Sequence, residues 1–109
     1  MPRELPPLSH LQFLALGVIL SSDEPGRVIR DVVADYGVRR TGAAFYQLMT
    51  RLERAGLIDG WYEPVVVGDQ AVRERRYRIT AAGSRAWRQT RSFYETVAAA
   101  AAQGRLSNA

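Results

Sequence analysis

Arginine is the residue through which this sequence can do chemistry. All 15 basic residues among the 109 are arginines, and they are unevenly spread. Between Ala71 and Arg91 lie Arg73, Arg75, Arg76, Arg78, Arg85, Arg88 and Arg91 against Glu74 alone. That stretch nets +6, so the other segments carry −2 of the chain's total of +4. A guanidinium stays charged and makes paired hydrogen bonds to phosphate or to a base edge. A concentrated basic stretch on a mildly acidic body is the footprint of a polyanion binder, although a solvated charged face gives the same count. Arg39 and Arg40 add a second basic point directly before a helical pattern. Groups for bond-breaking chemistry are scarce. There is no cysteine and one histidine, His10, which reads as an ordinary helix-start residue rather than a metal ligand. No nucleotide-cradling glycine loop or metal-ligand cluster appears. Asp31 and Asp35 pair more naturally with Arg27 and Arg30 at helical spacing than with a substrate. The inventory points away from an enzyme, and no cofactor or metal is expected.

The elements that must position these arginines follow from the hydrophobic spacing. Residues 1–8 form a proline-punctuated arm without periodicity. Ser9 caps a first helix over Leu11 to Leu20, apolar around much of its circumference. Ser21 to Gly26 is a polar loop. A second helix runs from Arg27 to Tyr36, with Val28, Ile29, Val32 and Val33 on one face and Gly37 closing it. After Val38 comes the stretch Arg39 to Ile58, around which the chain is organised. Phe45, Met49, Leu52 and Gly56 follow a four-three-four spacing and line an inner face. Ala43, Ala44, Gln47, Thr50, Arg51 and Arg54 fall mainly on the other side. Helix, short turn and helix is the helix-turn-helix arrangement.

Leu57 to Val67 then reads as a strand rich in aromatic and β-branched residues, in which Gly60 and Pro64 imply a bulge or an edge position. Gly68-Asp69-Gln70 turns the chain, and Arg73 to Ile79 returns with Tyr77 and Ile79 on one face. Beside a helix-turn-helix, this arginine-bearing hairpin is a wing. Thr80 caps a last helix over Ala81 to Ala102. On it Gly83, Trp87, Thr90, Tyr94, Val97 and Ala101 recur as a heptad-like seam that Ala86, Phe93 and Ala100 widen. Such a seam calls for cover, from a partner subunit or from the first helix of the same chain. The fold class expected is mainly α with a small β-hairpin. Residues 1–8 are the arm, 9–80 the winged helix-turn-helix, 81–103 a dimerisation helix and 104–109 a tail.

A chain of this length holds one domain. Its 47% hydrophobic content argues against disorder. No segment approaches the roughly 20 apolar residues of a membrane span, and Met1-Pro2-Arg3 leads into no signal-peptide core. The lack of cysteine is compatible with a reducing cytoplasm, the expected location.

Taken in order, these residues resemble the PadR family of bacterial winged-helix transcriptional regulators. Leu8-Ser9 leading into the first helix and Pro25-Gly26 leading out match the family's opening. Gly42-Ala43-Ala44-Phe45-Tyr46 resembles the start of its recognition helix. Arg51-Leu52-Glu53, followed by Gly56-Leu57-Ile58, resembles its exit into the wing. The stretch from Arg75 through Thr80 to Gly83 is similar to its basic second wing strand and following cap. Together they cover most of residues 8 to 90. One departure is plain: the family's second helix usually begins with a glycine–tyrosine pair, and here Arg27 follows Gly26. The single C-terminal helix looks like the shorter branch, in which that helix packs on its counterpart in a two-fold dimer.

The resemblance implies a dimeric, sequence-specific double-stranded DNA-binding repressor with a near-palindromic operator. Thr41, Ala44, Gln47 and Arg51 would lie nearest the bases, and Arg39 and Arg40 on phosphates at the helix N-terminus. Tyr46 sits where the family's motif tyrosine sits and would meet the backbone or pack. Arg73, Arg75 and Arg76 would reach the flanking backbone or minor groove. Replacing both Arg75 and Arg76 would then flatten the salt dependence of affinity by about two units. Trp87, Thr90, Phe93, Tyr94, Val97 and Ala101 would form the dimer interface. Trp87, Phe93 and Tyr94 would also offer stacking surface for an aromatic small-molecule effector, as in some members of the family. The rival expectation is a winged-helix protein-interaction module that does not bind DNA, which fold alone does not separate. An acidic or neutral surface around the third helix would favour it.

Overall fold

The computed structural model describes residues 7–37 and 39–106. Most of the expected N-terminal arm, Val38 of the connection and residues 107–109 of the expected tail lie outside them. Three helices come first: α1 (His10–Val18), α2 (Gly26–Asp35) and α3 (Gly42–Arg54), with a two-residue strand β1 (Glu24–Pro25) between α1 and α2. The hairpin β2 (Ile58–Val67) and β3 (Gln70–Ile79) follows, and then α4 (Ala81–Ala102). The sheet is antiparallel in the order β1-β3-β2. Four helices and a three-stranded sheet make the fold mainly α with a small hairpin, as the periodicity requires.

Local chemistry sets the helix ends. Ser9 accepts from the Gln12 amide while Gln12 Oε1 accepts from the Ser9 amide, a reciprocal box that starts α1. Thr41 accepts from the Ala44 amide at 3.1 Å and starts α3. Gly37 and Gly56 stop α2 and α3 in the left-handed region, at φ of 87° and 75°, where a Cβ would be strained. The apolar stripes then meet in one core. Phe45, Met49 and Leu52 of α3 pack with Leu16 and Ile19 of the α1 region, Ile29 and Val33 of α2, Ile58 and Tyr77. Tyr77 is 1% exposed on the central strand and is the largest buried side chain.

The loop, the hairpin and the arginines of α2 each compare differently with the sequence expectations. β1 replaces part of the expected polar loop: Glu24 pairs with Tyr77 and Pro25 with Arg76. A two-residue bridge has no periodicity to betray it. Of the two positions expected for Gly60 and Pro64, a bulge or an edge, the edge holds, because the hairpin register runs unbroken from Ile58 opposite Ile79 to Val67 opposite Gln70. Both lie on β2, the edge strand of the sheet. Finally, Arg27 and Arg30 do not serve as helical partners of Asp31 and Asp35. Arg27 reaches Glu74 on β3, and Arg30 donates to the Arg40 carbonyl at 3.0 Å.

The C-terminal helix divides into two halves. Its start is seated on the junction of α3 and β2: Thr80 donates through its hydroxyl to the Gly56 carbonyl at 2.7 Å and through its amide to the Leu57 carbonyl at 3.0 Å. Gly83, Ala86 and Thr90 are buried. Trp87 stacks on Phe13 of α1, with ring centroids 4.9 Å apart and planes 7° apart, and its indole nitrogen donates to the Phe13 carbonyl at 3.1 Å. Thus α4 folds back on α1 of its own chain. Thr90, expected on the dimer seam, is interior instead: it is 0% exposed and its hydroxyl donates to the Ala86 carbonyl at 2.8 Å. From Arg91 onward no described residue of α4 is buried.

A methyl group at Gly83 would lie 2.1 Å from the Leu57 carbonyl oxygen and 2.7 Å from Ile79. Alanine gains about 1 kcal/mol over glycine in a helix interior, but this contact is with backbone and cannot give. Gly83→Ala is therefore expected to lower stability by about 2 kcal/mol, in the range of overpacked sites. Urea unfolding checks this, and an unchanged midpoint would show that α4 seats differently.

Candidate nucleic-acid interface

The turn before α3 and the exposed side of α3 form one continuous polar surface. Arg39, Arg40 and Thr41 are exposed before the helix, and Ala43, Tyr46, Gln47, Thr50, Arg51 and Arg54 are exposed along it. Ala43, Tyr46, Gln47, Thr50, Arg51 and Arg54 line an open depression of about 480 Å³. Ala44, half-buried, lies at the edge of a second hollow of about 360 Å³ between this helix and the start of α1. There Arg40, Gln47 and Arg51 face Ser9, His10 and Gln12. Sequence reasoning gave His10 and Gln12 no part in this surface. The contact crosses two elements roughly thirty residues apart, and no local pattern announces it. Tyr46 is 56% exposed and meets Phe45 edge-on, so it stands on the surface rather than in the core.

Charge on the exposed side of α3 is positive, and the nearby acid, Asp31 of α2, lines a hollow with Arg39 and Arg40 without forming an ion pair with them. The guanidinium groups of Arg39, Arg40, Arg51 and Arg54 have no carboxylate partner among the described residues. Glu53 is the one acid of α3, and it is turned toward the wing. There Arg75 Nη2 donates to both of its oxygens, at 3.0 and 2.9 Å.

The wing separates the three arginines that the sequence grouped together. Arg73 is exposed and lies over the Tyr62 ring at 4.8 Å, without a carboxylate partner among the described residues. Arg75 is occupied: its guanidinium also lies over Tyr62 at 4.9 Å and over Tyr77 at 5.7 Å. The Glu53 hydrogen bonds hold it even more firmly protonated than a free arginine, against the opposing effect of burial. Arg76 is occupied as well, donating through Nε to Asp23 at 3.2 Å and lying 3.3 Å from Glu63. Its hydrogen bond to Asp23 likewise favours the charged form. Burial pushes the Tyr77 phenol up, so it stays neutral. Two of the three arginines expected on flanking phosphates therefore hold the wing in place, and a salt slope flattened by their loss no longer follows. The tip beyond them, Val65 to Val72, has a single charge, Asp69, and exposes Val66 and Val67.

Of the aromatic residues expected around an effector, Trp87 is engaged with Phe13. Tyr94, 39% exposed, lies near His10, Phe13 and Phe93. Trp87 and Phe13 join Leu14, Gly17, Val18, Val32 and Tyr36 around an apolar groove of about 370 Å³, with Tyr36 72% exposed. Phe93 and Val97 are half-buried, and Ala101 is exposed. Among the described residues no group of three metal-ligating side chains occurs, and no helix is long and apolar enough to cross a membrane.

A basic helix-turn-helix with a hairpin on its flank is a winged helix, and comparison with solved structures narrows the type. A PadR-family transcriptional regulator from Eggerthella lenta is 25% identical, covers 85% of this chain and 79% of its own, and superposes with a TM-score of 0.65. A PadR-family transcription regulator from Clostridium difficile is 17% identical, with coverage of 87% and 97% and a TM-score of 0.74. A Bacillus subtilis PadR, solved in complex with operator DNA, is 17% identical with a TM-score of 0.59; the match covers 73% of this chain and 46% of that one. No protein-family model and no curated protein matches the chain. The fold is that of the PadR-like winged-helix regulators, and these neighbours are transcriptional regulators rather than enzymes.

The environments of the ion pairs rank their energetics. Arg78 and Asp59 are 3.6 Å apart and largely exposed, at 64% and 58%, so their pair is worth little. Arg75 and Glu53 are 25% and 28% exposed and make two short hydrogen bonds. A double-mutant cycle on Glu53 and Arg75 is expected to give a coupling of about 1–2 kcal/mol, against about 0.5 kcal/mol or less for Asp59 and Arg78. Equal couplings would remove the distinction.

Proposed function

We propose that this chain is a sequence-specific double-stranded DNA-binding transcriptional regulator that acts as a dimeric repressor. One observation carries the proposal: the exposed side of α3 has no acid, and Arg39, Arg40, Arg51 and Arg54 surround it without carboxylate partners. Arginines left unpaired around a helix of small and amide side chains suit a groove lined by phosphates. A protein-docking winged helix has no need of that arrangement. The Bacillus subtilis PadR bound to operator DNA supports the same use of the fold.

In this reading α3 enters the major groove, with Thr41, Ala44, Gln47 and Arg51 toward the bases. Ala44 leaves room for close approach, while Gln47 and Arg51 can each make bidentate contacts. Arg39 and Arg40 meet phosphates at the N-terminal end of the helix, where the dipole adds attraction. The hollow beneath Arg40 and Arg51, with His10 and Gln12 on its far wall, is a seat for the backbone beside the groove. Tyr46 faces the backbone on the other side, and Arg73 reaches the flank from the wing. The expected result is a steep fall of affinity with salt. Replacing Arg40 and Arg51 together flattens the log–log slope by about two units, whereas replacing Arg76 alone leaves it unchanged. Titrations of labelled duplex at several salt concentrations check both statements. Binding that ignores salt would contradict the proposal.

The dimer is inferred from two faces that the chain leaves uncovered. The second half of α4 carries Phe93, Val97 and Ala101 with nothing buried, and the groove around Phe13, Val32, Tyr36 and Trp87 is apolar and open. The second half of α4 from another copy satisfies both at once, and two-fold symmetry then sets two half-sites about one helical turn apart. An aromatic effector would act at this seam through Phe93 and Tyr94. Trp87, already stacked, would form its wall. Val97→Glu is expected to convert a two-chain species to a one-chain species in analytical ultracentrifugation while helix content is kept. A variant that remains two-chain would exclude this seam.

A further inference from the structure

Three consecutive residues of β3 are each tied to a different element of the helical body. Glu74 accepts from Arg27 of α2, Arg75 donates to Glu53 of α3, and Arg76 donates to Asp23 just before β1. Side chains alternate along a strand, so β3 is gripped on both faces. Of the three ties, only Arg75–Glu53 reaches the helix that carries the polar surface.

That tie lies beside the corner between α3 and the wing. The chain passes from α3 to the wing through Gly56, whose φ of 75° suits a residue without a side chain. Backbone hydrogen bonds join β3 to β2 and β1 and the Leu57 amide to the Leu52 carbonyl at 3.0 Å, and farther along the hairpin the hydrogen-bonded tie to α3 is Arg75–Glu53. The Arg75 guanidinium is held between the Tyr62 and Tyr77 rings while it bridges both Glu53 oxygens. Gly60 makes room for this. A Cβ there would lie 2.8 Å from Arg75 Nη2 and from Glu53 Oε1. Arg73, two residues away on the same face of the strand, lies over the same Tyr62 ring at 4.8 Å. A continuous path of contacts therefore runs from Glu53 through Arg75 and Tyr62 to Arg73, the wing arginine left without a carboxylate.

We infer that Glu53 and Arg75 are positioning residues that fix the wing's angle to α3 and, through Tyr62, the direction of Arg73. The inference rests on the DNA-binding reading above. It adds that the distance along a duplex between the bases under α3 and the flanking backbone under Arg73 is set by this bridge. Neither Glu53 nor Arg75 touches DNA.

The test is hydroxyl-radical footprinting of the full chain on a duplex enriched from a random pool, with thermal unfolding of each variant in parallel. Glu53→Gln is expected to keep the protections under α3 and to lose those on the flank. Arg73→Ala is expected to lose the same flank positions with an unchanged melting temperature. The double variant loses no more than either single one, because both act through one contact. Should Glu53→Gln fail to fold, Gly60→Ala places a methyl group into the bridge and is expected to give the same footprint. Flank protections that survive in these variants overturn the inference, and so does a uniform weakening of core and flank in proportion to lost stability. No protection by the wild-type chain on any duplex would overturn the DNA-binding reading and this inference together, an outcome distinct from either of those.

Discussion

The α3 helix shows an acid-free face because its single carboxylate, Glu53, is drawn inward onto Arg75. That one bridge does two jobs. It removes a negative charge from the surface on which Arg39, Arg40, Arg51 and Arg54 stand, and it anchors the hairpin beside the helix. Were Glu53 turned outward, it would neutralise Arg54 or Arg51 at short range and remove the hairpin's side-chain tie to α3, leaving the ties of β3 to Arg27, Asp23 and β1. The arginines of this chain are thus divided by geometry into those that hold the body together and those left without a carboxylate among the described residues. The total charge of +4 says nothing of that division.

The corner where α3 ends is the mechanical centre of the fold. Gly56 stops the helix, Leu57 and Ile58 begin the strand, and the Thr80 side chain and amide close onto Gly56 and Leu57 from the other end of the hairpin. Gly83 then lets α4 rest directly on that backbone. The exposed side of α3, the wing and α4 therefore diverge from one small region, and a shift there would be felt by all three.

Much of this was legible in the sequence. The four-three-four spacing of Phe45, Met49 and Leu52 identified the inner face of α3, and all three are buried. Thr80 and the heptad-like run gave the span of α4, and the turn at Gly68 gave the hairpin. What stayed hidden was pairing across distance. Arg75 meets Glu53 from 22 residues away and Arg76 meets Asp23 from 53 away, so a run of arginines on β3 looked like one ligand-facing surface. Thr90 shows the same limit for apolar periodicity: the seam was visible, but spacing alone does not say whether a partner or the chain's own α1 covers it. The strand β1 escaped because two residues carry no period.

The central claim is that the exposed side of α3, with its unpaired arginines, reads double-stranded DNA. Selection of bound duplexes from a random pool, followed by sequencing, tests it most directly. The account predicts enrichment of a two-fold motif whose half-sites lie about one helical turn apart, and loss of that enrichment when Gln47 and Arg51 are both replaced by alanine. A pool that stays random after repeated rounds with the folded wild-type chain would contradict it.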